Sequence, residues 1–160
     1  MKDYRSVPPK KRRMDRSYPT PATGVRSKIM AAVRSRGNES TELRTARLLR
    51  KAHLTGWRRH LSILGTPDFA WPRLRVALFV DGCFWHGCPK CYRLPKHNRA
   101  YWRRKVRRNR KHDRHIASSL RSKGWIVVRA WECKSDKVLT SSVTRALLEA
   151  AREGRGQQGA

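Results

Sequence analysis

The stretch RVALFVDGCFWHGCPKC, residues 75–91, decides how the chain is expected to fold. Residues 76–80 are continuously apolar, which is typical of a central strand that is covered on both faces. Asp81 stands at the end of this predicted strand. The segment that follows, residues 82–95, is rich in Cys, Gly and Pro. We predict that it lacks regular structure and is held by something other than a hydrophobic core.

Helices and strands are predicted on both sides of the central strand from apolar periodicity, capping residues and turn residues. Upstream, the pattern predicts a helix over residues 27–34, a second helix from residue 38 or 40 to residue 54, and short strands over residues 57–60 and 68–71. Downstream, it predicts a long helix over residues 98–123 capped by Asn98, a strand over residues 125–131 and a helix from residue 136. This order predicts an α/β fold, a three-layer sandwich around a central mixed β-sheet.

The chain of 160 residues is expected to hold one folded domain, because single domains commonly run to about 100–200 residues. Residues 1–25 mix Pro, Ser, Tyr and basic residues without periodicity, which predicts a flexible basic arm. We therefore place the domain at residues 26–152 and predict a disordered tail at residues 153–160.

Basic residues dominate the charge of the chain. Thirty-nine Lys and Arg against eleven Asp and Glu give a formal net charge of +28. Such an excess repels itself unless a polyanion neutralises it, so nucleic acid is the expected partner. No apolar run approaches the roughly 20 residues of a membrane-spanning helix, and the first residues lack the apolar core of a signal peptide. We expect a cytoplasmic, DNA-associated protein with no membrane partner.

The chain has four cysteines, and three of them form the pattern C-x4-C-x2-C: Cys83, Cys88 and Cys91. The fourth, Cys133, follows the last predicted strand, whose end can return to the same segment. Four thiolates match the tetrahedral ligand set of structural zinc, which would hold a segment that has no core of its own. Four Cys ligands leave no open coordination position, so this zinc would not be catalytic. Two disulfides and a redox-active C-x2-C remain as alternatives.

Acidic residues are few, and some of them stand at predicted strand ends. Asp68 begins one predicted strand and Asp81 ends the next, while Glu42 lies in the first turns of the second predicted helix. Carboxylates grouped in this way can hold Mg²⁺, which stabilises charge on a phosphodiester and organises the attacking water. His86 lies close to Asp81 in the chain, and an imidazole with a pKa of about 6.5 is suited to act as general base. The alternative for His86 is a solvated or core histidine.

Two aromatic residues, Phe84 and Trp85, immediately precede His86. Adjacent aromatics in a broken loop do not easily face one core together, whereas apolar side chains act as wedges between base steps in some DNA complexes. We interpret the pair as a DNA wedge, with core packing of one ring as the alternative.

Together these motifs resemble the very-short-patch repair endonucleases, the Vsr family. The resemblance begins near SKIM and covers about residues 26–150, with matches at residues 67–69 (PDF), 79–88 (FVDGCFWHGC), 101–102 (YW), 124–128 (GWIVV) and 131–133 (WEC). It implies a restriction-endonuclease-like fold and an enzyme that nicks one strand 5′ of the T in a T·G mismatch left by deamination of 5-methylcytosine. We accordingly expect a bacterial protein that acts on double-stranded DNA as a monomer.

The resemblance also implies roles for individual residues. Asp68 would be the main Mg²⁺ ligand, His86 the general base and Glu42 an acidic residue of the helix beside the site. The implied wedge consists of Met30, Phe84 and Trp85. The implied zinc ligands are Cys83, Cys88, Cys91 and Cys133.

Two departures from the family pattern matter. The best-known members carry Thr-His where this chain has Val80-Asp81, so a second active-site histidine is absent and Asp81 becomes a candidate catalytic residue and second Mg²⁺ ligand. The middle zinc ligands of the family are often His and Cys in a slightly shorter loop, so the all-Cys set here follows from spacing.

Two other functions remain open at this point. One is a restriction-like nuclease without mismatch preference, since folds of this kind host many specificities. The other is a zinc-stabilised DNA-binding module without activity, for which the charge and the cysteines suffice but Asp68, Asp81 and His86 are unnecessary.

Overall fold

The structure, a computed structural model, describes residues 39–156, with side chains described over residues 41–154. The predicted basic arm at residues 1–25, the predicted helix over residues 27–34 and Met30 lie outside the described residues. Residues 157–160 also lie outside them.

Apart from one short helix after the central strand, the helices and strands of the described residues follow the order that the sequence pattern predicts. Its helices are α1 (Arg44–Lys51), preceded by a π-helical turn (Glu39–Leu43), α2 (Cys83–His86), α3 (Arg99–Arg121) and α4 (Asp136–Gly156). Its strands are β1 (Arg58–Arg59), β2 (Phe69–Trp71), β3 (Val76–Asp81) and β4 (Ile126–Trp131), with a 3₁₀ turn (Pro72–Leu74) between β2 and β3.

The strands form one mixed sheet in the order β1-β2-β3-β4. The pairs β1–β2 and β2–β3 are antiparallel, while β3 and β4 are parallel and in register from Val76 opposite Ile126 to Asp81 opposite Trp131. The predicted α/β class with a mixed sheet is therefore confirmed. Because β3 and β4 are parallel, the long connection between them carries α3 across one face of the sheet.

Helices cover both faces of the sheet, because successive residues of a strand point to opposite sides. One face packs against α1 and α4 through a core that includes Leu49, Leu78 and Val143. The other face packs against α3 through a core that includes Phe79 and Leu120. The apolar run of β3 is thus buried from both sides, as its continuous hydrophobicity predicts.

Three local expectations need correction. The segment after β3 does contain regular structure, because Cys83–His86 form the short helix α2, which Gly87 ends at φ 68°. A Cβ on Gly87 would lie 2.4 Å from Cγ1 of Val106, so only glycine lets this end of α2 approach α3 so closely. Asn98 precedes α3 but makes no side-chain capping bond, since its backbone is left-handed at φ 53°. Finally, α4 continues to Gly156, past the domain boundary predicted at residue 152.

Within residues 39–156, none of the helices combines the length and the hydropathy that a bilayer-spanning segment requires.

Candidate active site and cysteine cluster

The candidate active site lies where β3 ends, between α2 and α3. Asp81 is the last residue of β3 and is only 6% exposed. By strand alternation it points to the same face as Phe79, which is the face covered by α3. His86 ends α2 and lies with its Nδ1 atom 3.7 Å from Oδ1 of Asp81. The structure therefore brings together two residues that the sequence pattern assigned to catalysis.

His86 is held by an acid of α3. Its Nδ1 atom lies 2.6 Å from Oδ2 of Asp113. Burial alone would lower the pKa of His86, but the hydrogen bond to Asp113 and the negative charges of Asp81 and Asp113 raise it above its ordinary value. Burial likewise works against the charge of Asp113, yet His86 and Arg129 lower the pKa of this carboxyl. The two side chains form a histidine–carboxylate pair of the kind that fixes an imidazole in one orientation.

Asp81 is paired with Arg129 of β4. The Nε atom of Arg129 donates to Oδ2 of Asp81 at 2.8 Å, and its Nη2 atom donates to Oδ1. The same Nη2 atom lies 3.2 Å from Oδ1 of Asp113. Burial opposes the charge of Arg129, but the two carboxylates raise the pKa of its guanidinium above the ordinary value. One guanidinium thus bridges two acids on the α3 side of the sheet.

Asp68 lies within the electrostatic influence of two other acids, Glu42 and Asp81. Oδ2 of Asp68 accepts a hydrogen bond from the backbone N–H of Val80 at 2.7 Å. The pKa of Asp68 is raised, mainly by burial, and the negative charges of Glu42 and Asp81 add to the effect. The bond from Val80 and the charge of His60 oppose this rise. Negative charge is therefore crowded around Asp68, which is the electrostatic condition of a cation site.

Glu42 is a buried carboxylate, 2% exposed, in the π-helical turn that precedes α1. Its Oε1 atom accepts a hydrogen bond from Nε of Arg59 at 2.7 Å and lies 2.6 Å from Nε2 of His60. Buried carboxylates are stable in proteins only when they are paired in this way. Within the described residues, neither Glu42 nor Asp68 belongs to a group of three or more ligand atoms lying within 4.8 Å of one another, whereas Asp81, His86 and Asp113 do.

The four cysteines form a second group of this kind, with all sulfur atoms within 4.8 Å of one another: Cys83, Cys88, Cys91 and Cys133. All four are free thiols, and the Sγ atoms of Cys88 and Cys133 are 3.7 Å apart. A disulfide needs about 2.05 Å, so the predicted alternative of two disulfides does not describe this cluster. Burial opposes ionisation of Cys88, but backbone N–H groups of Cys91 and Lys90 donate to its sulfur and lower its pKa to about 7. The cluster can hold a metal ion.

The aromatic side chains of α2 are half-buried against α3. The rings of Phe84 and Trp85 meet edge to face with centroids 5.4 Å apart, and Trp102 of α3 lies 4.9 Å from Phe84 and 6.1 Å from Trp85. Tyr92 adds a further contact to Phe84 at 5.9 Å. Both rings therefore have a packed side and a solvent-facing side.

Comparison with known proteins gives the family. A family model described as "DNA mismatch endonuclease Vsr" matches residues 19–93. The type II nicking enzyme V.NaeI of Lentzea aerocolonigenes is 40% identical over 122 residues, which are 72% of either chain. The DNA mismatch endonuclease Vsr of Escherichia coli K12 is 34% identical over 130 residues, covering 78% of this chain and 82% of that one. The chain belongs to the Vsr family. The type II nicking enzyme V.XorIIP of Xanthomonas oryzae is 39% identical over 111 residues, covering 66% and 78%.

Membership of the Vsr family makes the chain a DNA endonuclease, as the sequence motifs predict. A zinc-stabilised module that only binds DNA is therefore set aside. The family also explains why acids and a histidine are assembled beside a strongly basic helix: an endonuclease must both hold a phosphodiester and activate water.

Sequence reasoning missed two residues of this Vsr-family site, Asp113 and Arg129. Each carries a signal that is visible afterwards, because Asp113 is the one acid of α3 and Arg129 the one charged residue of β4. Glu132 was also missed, and its Oε1 atom accepts the backbone N–H of Cys83 at 3.0 Å, which ties the start of α2 to the end of β4. Asp113 and Arg129 could have been identified because each carries a charge that is unusual for its own helix or strand.

Proposed function

We propose that this Vsr-family endonuclease nicks one strand of double-stranded DNA at T·G mismatches, with Mg²⁺ at its catalytic centre, in very-short-patch mismatch repair. The observation that carries the proposal is the order of functions within α2. The half-buried pair Phe84 and Trp85 directly precedes His86, whose Nδ1 atom is held by Asp113. Because the wedge adjoins the general base in sequence, one helix can both probe the duplex and present the catalytic group.

His86 is the proposed general base. With Nδ1 donating to Oδ2 of Asp113 at 2.6 Å, the proton of the neutral ring stands on Nδ1 and the lone pair on Nε2. Nε2 is then the atom that accepts a proton from the attacking water. Asp113 stabilises the imidazolium that forms, because its carboxylate already faces the ring.

Asp68 is the residue that we assign to Mg²⁺, supported by the negative charge of Glu42 and Asp81 around it. The fit is electrostatic: burial and two neighbouring acids raise the pKa of Asp68, and a divalent cation would relieve that repulsion. When bound, Mg²⁺ supplies a Lewis acid that stabilises charge on the phosphodiester. Asp81 was the candidate second ligand from the sequence, and this assignment competes with its pairing to Arg129.

A structural zinc ion is proposed for the four cysteines. Tetrahedral coordination at a Zn–S distance of about 2.3 Å separates neighbouring sulfurs by about 3.8 Å, and the sulfurs of Cys88 and Cys133 are 3.7 Å apart. The metal would join the segment after β3 to the end of β4. Since α2 lies inside this loop, zinc would also fix the position of His86 and the aromatic pair.

Phe84 and Trp85 are the proposed mismatch wedge. Their inner sides pack on Trp102, which gives a rigid support without enclosing the rings completely. A T·G wobble pair is less stable than a Watson–Crick pair, so opening the neighbouring step costs less there, within a total of a few kcal/mol. A rigid wedge converts that difference into a preference for the mismatch.

A second function, sequence-directed nicking without mismatch preference, is favoured by the names of two relatives, which are called type II nicking enzymes. The catalytic residues would be the same in both cases. The wedge would then act on matched duplex at the recognition sequence. Action as a monomer and a cytoplasmic location stay predictions from the sequence.

The deciding experiment compares nicking of two duplexes that differ only by one T·G pair, in a library of flanking sequences. We expect Mg²⁺-dependent nicking on the T strand of the mismatched duplex and much slower nicking of the matched duplex. Glu149→Gln, a substitution of an exposed acid on α4, serves as the active control. Equal rates on both duplexes would replace the mismatch proposal with the second function.

A further inference from the structure

We propose that Arg129 positions the catalytic histidine and keeps metal ions out of the Asp81–His86–Asp113 cluster, so that Asp81 serves this network and is not a Mg²⁺ ligand. The inference rests on the proposed function, because it assigns His86 as the base that is being positioned. Positioning of His86 and exclusion of metal are roles that phosphodiester hydrolysis does not by itself require of an arginine.

The contacts form a continuous chain from β3 to α2. Arg129 donates two hydrogen bonds to Asp81, from Nε to Oδ2 at 2.8 Å and from Nη2 to Oδ1. Nη2 also lies 3.2 Å from Oδ1 of Asp113. The other oxygen of Asp113, Oδ2, lies 2.6 Å from Nδ1 of His86. Asp113 is therefore held from both sides, by a guanidinium at one oxygen and by the imidazole at the other.

The cluster would attract a divalent cation if Arg129 were absent. Its three ligand atoms lie within 4.8 Å of one another, which is close enough for one ion to contact all of them. Asp81 and Asp113 carry two negative charges, and the guanidinium of Arg129 cancels one of them from within hydrogen-bond distance of both. A buried carboxylate pair needs such a compensating charge. Arg129 supplies it as a fixed side chain, and a metal ion would have to approach that positive charge.

Arg129 is itself fixed in place. The Cζ atom of its guanidinium lies 5.0 Å from the ring centroid of Phe79, which is its register partner on β3. The two hydrogen bonds to Asp81 set the plane of the guanidinium. Its Nη1 atom is buried without a hydrogen-bond partner among the described residues. The side chain is therefore held by Asp81 and Phe79, and Asp81 acts as the anchor of the network. A metal ion on Asp81 would have to displace the guanidinium from an oxygen that already accepts a hydrogen bond.

Manganese binding to the zinc-loaded full chain tests the exclusion of metal, with free Mn²⁺ measured by electron paramagnetic resonance. We expect Arg129→Gln to bind one more Mn²⁺ per chain than the wild type. Adding Asp113→Asn to that variant should remove the extra ion. No extra ion in a folded Arg129→Gln protein would overturn the proposal, as would a wild-type ion that Asp113→Asn abolishes.

Asp81→Asn tests the anchor in a separate variant, so the result does not depend on whether Arg129→Gln folds. The substitution keeps the size of the side chain and one acceptor oxygen. We expect the number of bound Mn²⁺ ions to stay at the wild-type value, with affinity changed by less than about tenfold, the lower limit for loss of an outer-shell partner. Loss of an ion in this variant would make Asp81 a metal ligand and contradict the proposal.

Arg129→Lys separates charge from geometry. Lysine keeps the positive charge but lacks the rigid fork that spans two carboxylates. We expect no additional Mn²⁺, a kcat for nicking reduced at least about tenfold by misplacement of His86, and a KM for DNA within about twofold of the wild type. Wild-type kcat would refute the positioning role, and a raised KM with unchanged kcat would show a DNA contact in its place. If the wild type nicks no duplex at all, the proposed function fails while the manganese counts still decide the exclusion of metal.

Discussion

At the scale of single residues, Asp68 is the proposed Mg²⁺ ligand. Its side chain is half-buried, interacts with the charges of Glu42 and Asp81, and accepts a backbone hydrogen bond from Val80. We predict that Asp68→Asn lowers nicking by roughly a hundredfold or more, because the metal supplies several kcal/mol of charge stabilisation in the transition state. Duplex binding should remain, since the basic surface is unchanged. Single-turnover nicking and a binding titration measure the two effects.

The same substitution makes a prediction about stability. Asparagine removes a negative charge beside two others and keeps an oxygen that can accept from Val80. The metal-free Asp68→Asn protein should therefore melt no lower than the wild type. Glu149→Gln is the matched control, because it neutralises an exposed acid far from the crowded charges. A large loss of melting temperature specific to Asp68→Asn would mean that this carboxylate supports the fold.

At the scale of elements, the short helix α2 carries both the proposed DNA wedge and the proposed general base. We predict that replacing Phe84 and Trp85 together with Ala removes most of the preference for T·G over matched duplex. The informative quantity is the ratio of kcat/KM on the two duplexes, because the neighbouring His86 makes some loss of rate unavoidable. Tyr101→Ala is the control, since its ring contacts Trp102 at 5.1 Å from outside α2. Full retention of the ratio in the double variant would make these rings part of the core.

The proposed zinc ion at the cysteine cluster would hold the loop that contains α2. We predict that one zinc copurifies per chain and that Cys133→Ser lowers the melting temperature by roughly 5–10 °C, the effect of losing a few kcal/mol from a domain of this size. Lys134→Ala is the control variant, because Lys134 is exposed and directly follows Cys133. Metal analysis and thermal unfolding check both statements. Protein without zinc that melts at the same temperature in both variants would refute the site.

At the scale of the whole molecule, we expect only part of the net charge of +28 to contact DNA. Helix α3 carries Arg103 and Arg107 exposed on its surface, on the same side of the sheet as His86, whereas α4 covers the opposite face. We predict that the double variant Arg103→Ala and Arg107→Ala flattens the slope of log affinity against log salt by up to about 1.8, at about 0.9 per lost phosphate contact. Fluorescence anisotropy over a range of salt concentrations measures the slope.

The matched control for this prediction is Arg145→Ala, which removes an exposed positive charge from α4. It should change the slope by no more than about 0.45, half the value of one phosphate contact, because α4 packs on the opposite face of the sheet from α3. Equal effects of the α3 and α4 substitutions would mean that DNA is not held on one face.

Local patterns in the sequence were sufficient for most of the fold. The apolar run at residues 76–80 predicted β3 nearly to the residue, since a continuous hydrophobic stretch of that length suits a strand covered on both sides. Apolar spacing predicted α3 to within a few residues at each end. For α4 the pattern predicted where the helix begins but not where it ends, because apolar spacing stops before Gly156 and the last turn is polar.

The sequence by itself also determined the family and the residues that carry its motifs, including Asp68, His86 and the cysteines, because these are grouped in short stretches of chain. Only the tertiary structure decided which charges meet. Asp113 reaches His86 across 27 positions, and Arg129 reaches Asp81 across 48. Periodicity tells which face of an element is buried, but the partners of a buried charge depend on how α3 and β4 lie against β3. A lone acid in a basic helix and a lone arginine in an apolar strand acquired their roles through that packing.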